Sequence, residues 1–343
     1  MQLAITGGAG FLGYHLALQL QNKFEKILLL DIASINSGEY PVNCEYRNID
    51  IRDIASLNQS LRGVDCVIHG AAALPLWKSR DIFNINVGGT ENVIKASIQN
   101  GIKRMVYVSS TAVYGVPEKH PLFEYDSMVG IGPYGESKIE AEKICEKYRN
   151  QICISIVRPK TFIGTGRLGV FQILYDWIEN GKRIPIIGNG KNRYQLLEVE
   201  DLVDAIHTLL VAPVNVANDT FNIGAEIFKT VNEDLGALCN YAKSNARVMK
   251  TPAKLVKPIL ALLEALRLSP LYRWVYGTAD KDSFVSIEKV KTKLNWKPKY
   301  SNSMALIRSY QWYLDHKNEC QGVGITHRVA WKQGFLGFLK RFM

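Results

Sequence analysis

The first twenty residues restrict the fold more than any other stretch of the chain. An apolar run, Gln2–Thr6, leads directly into glycines at positions 7, 10 and 13, and Phe11–Gln21 carries a helical pattern. A strand that turns sharply and re-enters as a helix needs a backbone without Cβ atoms at three points. These are the tight turn itself, the closest approach to whatever the turn cradles, and the contact of helix on strand. Gly7, Gly10 and Gly13 meet those needs in that order. The free N–H groups at the helix start, together with its dipole, favour negative charge, so the turn is expected to hold the pyrophosphate of a dinucleotide.

The remainder of the first half continues in the same style. Lys26–Asp31, Cys66–Gly70, Arg104–Ser109 and Cys153–Arg158 are short, turn-bounded apolar runs of the kind buried as strands. Amphipathic stretches such as Asn86–Asn100 and Tyr134–Tyr148 fall between them. Strand and helix in alternation predict an α/β chain with a Rossmann-type, doubly wound parallel sheet. Past residue 160 the pattern loosens around 164–169, 185–192 and 213–224. We therefore expect a core over residues 1–160, joined by later strands from about 195–225, and a smaller mixed substrate-binding region over 161–320. Residues 321–343 form a basic, aromatic tail.

Bulk properties narrow the function. A net charge of +10 without a nucleic-acid motif, its cations spread along the chain, argues against nucleic acid as a partner. The six cysteines lack any CxxC or metal-ligand spacing, so they predict reduced, mostly buried thiols and no metal site. With a first strand starting at Gln2 and no apolar run of about 18–20 residues, a cytoplasmic catalytic body is expected.

Asp31 ends the second predicted strand, where a carboxylate can bind the adenosine ribose hydroxyls. No Lys or Arg occupies 32–38 to receive a 2′-phosphate, which favours NAD over NADP. Downstream, Tyr134 and Lys138 share one helix face at i, i+4. Bringing a phenol from a pKa of about 10 to neutrality takes roughly 4 kcal/mol. A nearby ammonium supplies energy of that order, so the pair suits proton transfer. Ser109–Gly115 follows a strand, placing its hydroxyls at the rim where such sheets bind ligands.

These motifs together resemble the extended short-chain dehydrogenase/reductases, the NAD-dependent epimerase/dehydratase superfamily. The resemblance runs from residue 2 to about 315. It includes Thr6–Gly13, Asp31, Asp50–Asp53, Ala71–Ala73, Asn86–Thr90, Ser109–Gly115, Tyr134–Lys138, Arg158-Pro159, Val199–Asp201 and Leu294–Pro298. It implies an enzyme with NAD as cofactor, a small-molecule substrate and a homodimer built from the helices at about 86–100 and 134–150. It implies Tyr134 as acid/base, Lys138 on the nicotinamide ribose and Ser110 as the catalytic hydroxyl. The implied cofactor contacts are Gly7, Gly10, Phe11, Leu12, Gly13, Asp31, Asp50, Ile51, Ala71, Ala72, Ala73, Asn86, Ser109, Tyr134, Lys138 and Pro159. Thr111, Thr161 and Arg193 are the expected substrate contacts.

Two departures from the family pattern matter. Thr111-Ala112 stands where related dehydratases carry Asp-Glu, so there is no carboxylate to expel water, and an epimerase or a dehydrogenase remains. The Asn that often grips a diphosphate after the Arg near 158 is absent. The segment 188–201 also resembles the 3β-hydroxysteroid dehydrogenase branch and epimerases of polyprenyl-diphosphate sugars. The expectation is an epimerase-like enzyme on a nucleotide- or lipid-diphosphate-linked sugar, with a dehydrogenase of a sterol-like or other lipid alcohol as the alternative and a non-catalytic NAD-binding protein behind both. Lys160, Arg167, Lys191 and Arg193 are either diphosphate ligands or solvated surface cations. Lys257–Leu268 predicts a short apolar helix, either a lid or ordinary packing. Trp331–Met343 has the composition of an interfacial helix for peripheral membrane contact, or of a tail docked on protein.

Overall fold

The computed structural model describes residues 1–75, 77–266 and 273–318, with 328, 337 and 340. Six strands arise in the first half: β1 (Gln2–Thr6), β2 (Lys26–Asp31), β3 (Cys44–Asn48), β4 (Cys66–His69), β5 (Arg104–Val108) and β6 (Cys153–Pro159). Five follow: β7 (Thr161–Ile163), β8 (Arg183–Ile187), β9 (Leu196–Glu198), β10 (Thr220–Ile223) and β11 (Arg247–Thr251). Seven of them form one parallel sheet in the order β10-β6-β5-β4-β1-β2-β3. The fold class is the one the alternation predicted.

Both faces of this sheet are buried, as an all-parallel sheet requires. Leu3 and Ile5 of β1 join Leu16, Val157, Leu202 and Ile206 on one face. Ala4 lies with Val67, Met105, Ile156, Val93 and Ala141 on the other. The period-two alternation of the strand thus divides the core between two helical layers. The strand order reverses between β1 and β4, opening a crevice at their carboxyl ends where ligands of such sheets bind.

Of the strands expected from about 195–225, only β10 returns to this sheet, beside β6. β9 instead pairs with β7, and β8 pairs with β11, in two separate two-stranded ladders. A third core cluster, including Ile163, Tyr175, Trp177, Leu238, Leu306 and Tyr310, holds this half together. Its helix Val231–Ala242 begins on a capping box, with Thr230 and Glu233 exchanging side-chain and backbone bonds.

The apolar helix after β11 runs from Ala253 to Ala265, four residues earlier than expected, with Pro258 inside it. Leu260 is buried, but Leu255, Ile259, Leu262 and Leu266 are 54–65% exposed along one stripe. Packing therefore accounts for only part of its apolar surface. Among the described residues no helix is long and apolar enough to cross a membrane. The expected interfacial tail lies outside the described residues except for Gly337 and Lys340. Lys340 pairs with Asp176 at 2.6 Å, and Arg328 lies 4.0 Å from the Tyr14 ring centre while pairing with Glu39.

Candidate active site

The glycine turn is built by contacts that admit no side chain. Gly7 has φ +76°, and a Cβ there would lie 2.8 Å from the Ala71 nitrogen. On Gly13 a Cβ would lie 2.3 Å from the Gly7 carbonyl oxygen. The chain thus folds the end of β1, the start of the first helix and the segment after β4 onto one another. Asp31 fastens the far side, its carboxylate accepting from the N–H groups of Ala9 and Ala33, both at 3.0 Å. Arg52, a cation on the cavity wall, is held by Asp50 through a 2.5 Å ion pair. That pairing keeps the Asp50 carboxyl below the usual carboxylate range.

A cavity of about 950 Å3 runs from this turn past Tyr134 and Lys138 into the second half. Gly7, Gly10, Phe11, Leu12, Gly13, Asp31, Asp50, Ile51, Ala71, Ala72 and Ala73 line one end. Ser109, Ser110, Thr111, Tyr134, Lys138 and Pro159 line its middle, and Thr161 the far side. The bare cradle fits a dinucleotide pyrophosphate, and Asp31 at the rim fits a ribose.

Two expected contacts are placed elsewhere. Asn86 is buried off the cavity wall, accepting from Ala73 N–H at 2.8 Å and donating to Ser137 Oγ at 3.0 Å. It ties the Ala71–Ala73 segment to the helix bearing Lys138, so its part is to position others. Arg193 is not on the wall either. Its guanidinium lies 4.7 Å from the ring centres of both Phe228 and Phe284. Such cation–π contact commits the charge to the aromatic pair.

Tyr134 stands half-buried in the first turn of the helix Gly132–Tyr148. Gly135 next to it lets this helix approach the Ser110 turn, since a Cβ there would meet the Ala112 carbonyl at 3.0 Å. Ser110 caps the short turn Thr111–Tyr114 by accepting from Ala112 N–H, which leaves its own O–H to donate. Thr111 spends its proton on the Pro159 carbonyl, at 3.4 Å.

Lys138 is buried and donates to the Val108 carbonyl at 2.9 Å and to Tyr107 Oη at 3.3 Å. Burial lowers its pKa to about 8, against the opposing pull of Glu142. Glu142 is one turn further along the same helix face, accepting from Ser109 and forming a buried 2.6 Å ion pair with Arg158. Burial works against the Arg158 charge, but Glu142 holds the guanidinium protonated. Arg158 also donates to Tyr114 Oη at 2.8 Å.

Sequence reasoning missed this support. The i, i+4 spacing of Lys138 and Glu142 was the available signal. The solvated-surface reading of Lys160 and Arg167 is also corrected: both are buried on the cavity wall, where tertiary packing around β7 encloses them. Lys191 is exposed.

Comparison with known proteins agrees with this geometry. Residues 3–224 match the NAD dependent epimerase/dehydratase family, and the chain belongs to that family. A protein of Sinorhizobium fredii of uncharacterised function is 35% identical over 98% of this chain and 84% of its own length. A UDP-glucose 4-epimerase of Lacticaseibacillus casei is 27% identical over 94% of this chain and 99% of its own. Among solved structures, the Thermotoga maritima UDP-glucose 4-epimerase with UDP-glucose superposes with a TM-score of 0.76 at 22% identity, covering 92% of this chain and 100% of that one. That last likeness concerns the fold.

Proposed function

We propose that this chain is an NAD-dependent epimerase acting on a diphosphate-linked sugar, oxidising one carbinol carbon and then reducing it on the opposite face. The observation that carries the reading is the continuity of one cavity from the glycine cradle to Tyr134, Lys138 and Ser110. In it Ser110 donates to the reacting hydroxyl oxygen and Tyr134 takes its proton. The Lys138 ammonium favours the phenolate and binds the nicotinamide ribose. The bound NAD supplies a hydride acceptor that can return what it receives. The resulting sugar ketone turns over between the two half-reactions, and Tyr134 gives the proton back. No carboxylate follows Ser110, so the chain has no acid placed there to expel a hydroxyl as water.

The test has two parts. Purified protein is denatured and its released nicotinamide dinucleotide quantified by mass spectrometry; near-stoichiometric NAD(H) is expected. Tyr134→Phe is then assayed against a panel of UDP-sugars by NMR, with an expected loss of about 10²–10⁴-fold. Turnover within a few-fold of the parent sinks the mechanism. A second reading, net oxidation of a lipid alcohol, draws on the Phe162, Phe171, Leu174 and Leu235 side chains at the far end of the cavity. An empty site that takes up added NAD weakly favours it.

A further inference from the structure

We infer that Lys160, Ser283, Thr161 and Tyr194 form an oxyanion subsite in the substrate end of the cavity, taking a carboxylate or phosphate oxygen of the bound sugar. This rests on the epimerase reading above and adds to it a chemical requirement on the substrate.

All four residues line the cavity. Lys160 is 4% exposed, and its ammonium makes one hydrogen bond, 2.6 Å to Ser283 Oγ. Its second neighbour is the Tyr194 ring, with Nζ 5.1 Å from the centroid. A lysine ammonium has three donors, so two remain. Among the described residues no carboxylate pairs with it. Asp234, on the same wall, accepts from Asn302 at 2.9 Å and from Lys229 N–H, and Asp282 accepts from Arg193 N–H at 2.7 Å. An ammonium buried without a counter-ion is costly, and proteins keep such charges where something pairs with them. Burial alone lowers the Lys160 pKa to about 7, and an anion entering the cavity would restore the charged form.

The neighbouring hydroxyls converge on the same need. Ser283 is fixed by its backbone, donating to Arg193 O and accepting from Gln195 N–H. Because its Oγ accepts from Lys160, its own O–H is left to donate. Thr161 and Tyr194 share one hydrogen bond of 3.2 Å, so one of the two hydroxyl protons is also left over. Lys160 follows Pro159 directly, and the Pro159 carbonyl receives the Thr111 hydroxyl beside Ser110. The subsite therefore adjoins the turn capped by Ser110, the residue that donates to the substrate's reacting hydroxyl.

The test is calorimetric titration of the full chain with UDP-glucuronic acid, UDP-glucose and inorganic pyrophosphate. Lys160→Met is expected to weaken at least one probe tenfold or more, while Lys160→Arg stays within about threefold of the parent. A loss confined to UDP-glucuronic acid assigns the oxygen to a carboxylate; a loss shared by all three assigns it to phosphate. Removing an unpaired buried charge should leave the melting temperature of Lys160→Met unchanged or raised. Ser283→Ala, which removes a hydroxyl and no charged group, should weaken the same probe about three- to tenfold. Unchanged affinities in both Lys160→Met and Ser283→Ala, or a parent protein that binds none of the probes, overturns the proposal. Binding needs no turnover, so this outcome is separate from loss of bound NAD(H) or from an inert Tyr134→Phe, which would strike the epimerase reading instead.

Discussion

The two ends of the cavity are built in different ways. The cofactor end is made of backbone: glycine turns, strand ends and amide groups whose positions the parallel sheet dictates. The substrate end is made of side chains hung on short ladders. The half of the chain that carries those ladders leaves more polar atoms unsatisfied behind the cavity wall, with Gln172 Oε1, Trp177 Nε1, both Glu198 carboxyl oxygens and Arg308 Nε buried without hydrogen bonds. Over residues 1–110, by contrast, Asn58 Oδ1 is the one such atom among the described residues. A backbone-built site tolerates no change in its atoms, while a side-chain-built site can be retuned for different substrates on the same frame. That difference predicts where substitutions are intolerable and where they are merely adjustable.

The largest effect should come from the cradle. A methyl group on Gly13 would lie within 2.7 Å of two Gly8 atoms as well as 2.3 Å from Gly7 O, all backbone that cannot swing away. Gly13→Ala is expected to abolish retained NAD(H) and to cost about 3 kcal/mol or more, beyond ordinary overpacking. Released-cofactor mass spectrometry and chemical denaturation measure both. A variant that keeps its cofactor would mean that the cradle yields, and the contrast between the two ends would fail.

Next in size is the buried pair behind the helix Gly132–Tyr148. Glu142→Gln leaves the Arg158 guanidinium, with its Tyr114 and Glu124 contacts, buried without its carboxylate. The expected cost is about 3–5 kcal/mol, read from denaturant midpoints. Replacing both members by apolar residues should recover much of that loss, because the pair's own net contribution is small. If the single substitution costs less than about 1 kcal/mol, this half is as adjustable as the other.

The same division decided what could be foreseen. β1 and β2 were legible to the residue because strands buried on both faces are uninterrupted apolar runs. β3, Cys-Glu-Tyr-Arg-Asn, is an edge strand with no fully buried residue, and no apolar run marks it. Asn86 stood out as part of a motif, yet only the fold reveals that its bonds go to Ala73 and Ser137. The Gly89 beside it leaves room for the Ile51 side chain, whose Cδ1 would lie 2.5 Å from an added Cβ. Lys160, Arg167 and Arg193 lie near turns and short ladders, where periodicity carries no information about burial. Their surroundings come from segments far away in the chain, as the Lys160–Ser283 bond and the Arg167–Phe11 ring contact illustrate.

The smallest effect tests the half of the chain behind the adjustable end. Glu198 is buried, its carboxyl oxygens unbonded and the nearer one 3.7 Å from Arg308 Nε. Burial raises its pKa to about 9, with Arg308 opposing and Glu200 and Asp201 reinforcing. The native state therefore holds the proton that the unfolded chain releases above about 4.5. Stability from this group is full below that pH, falls as pH rises, and is gone above about 9. Glu198→Gln should match the parent near pH 4.5 and exceed it by roughly 1–3 kcal/mol at pH 8, in melts across that range. Arg308 keeps its 2.5 Å partner Glu200, so the substitution orphans no cation. A variant less stable than the parent at pH 8 would mean that the carboxylate is needed as an ion, and the packing behind the substrate end would then be as tightly specified as the cradle.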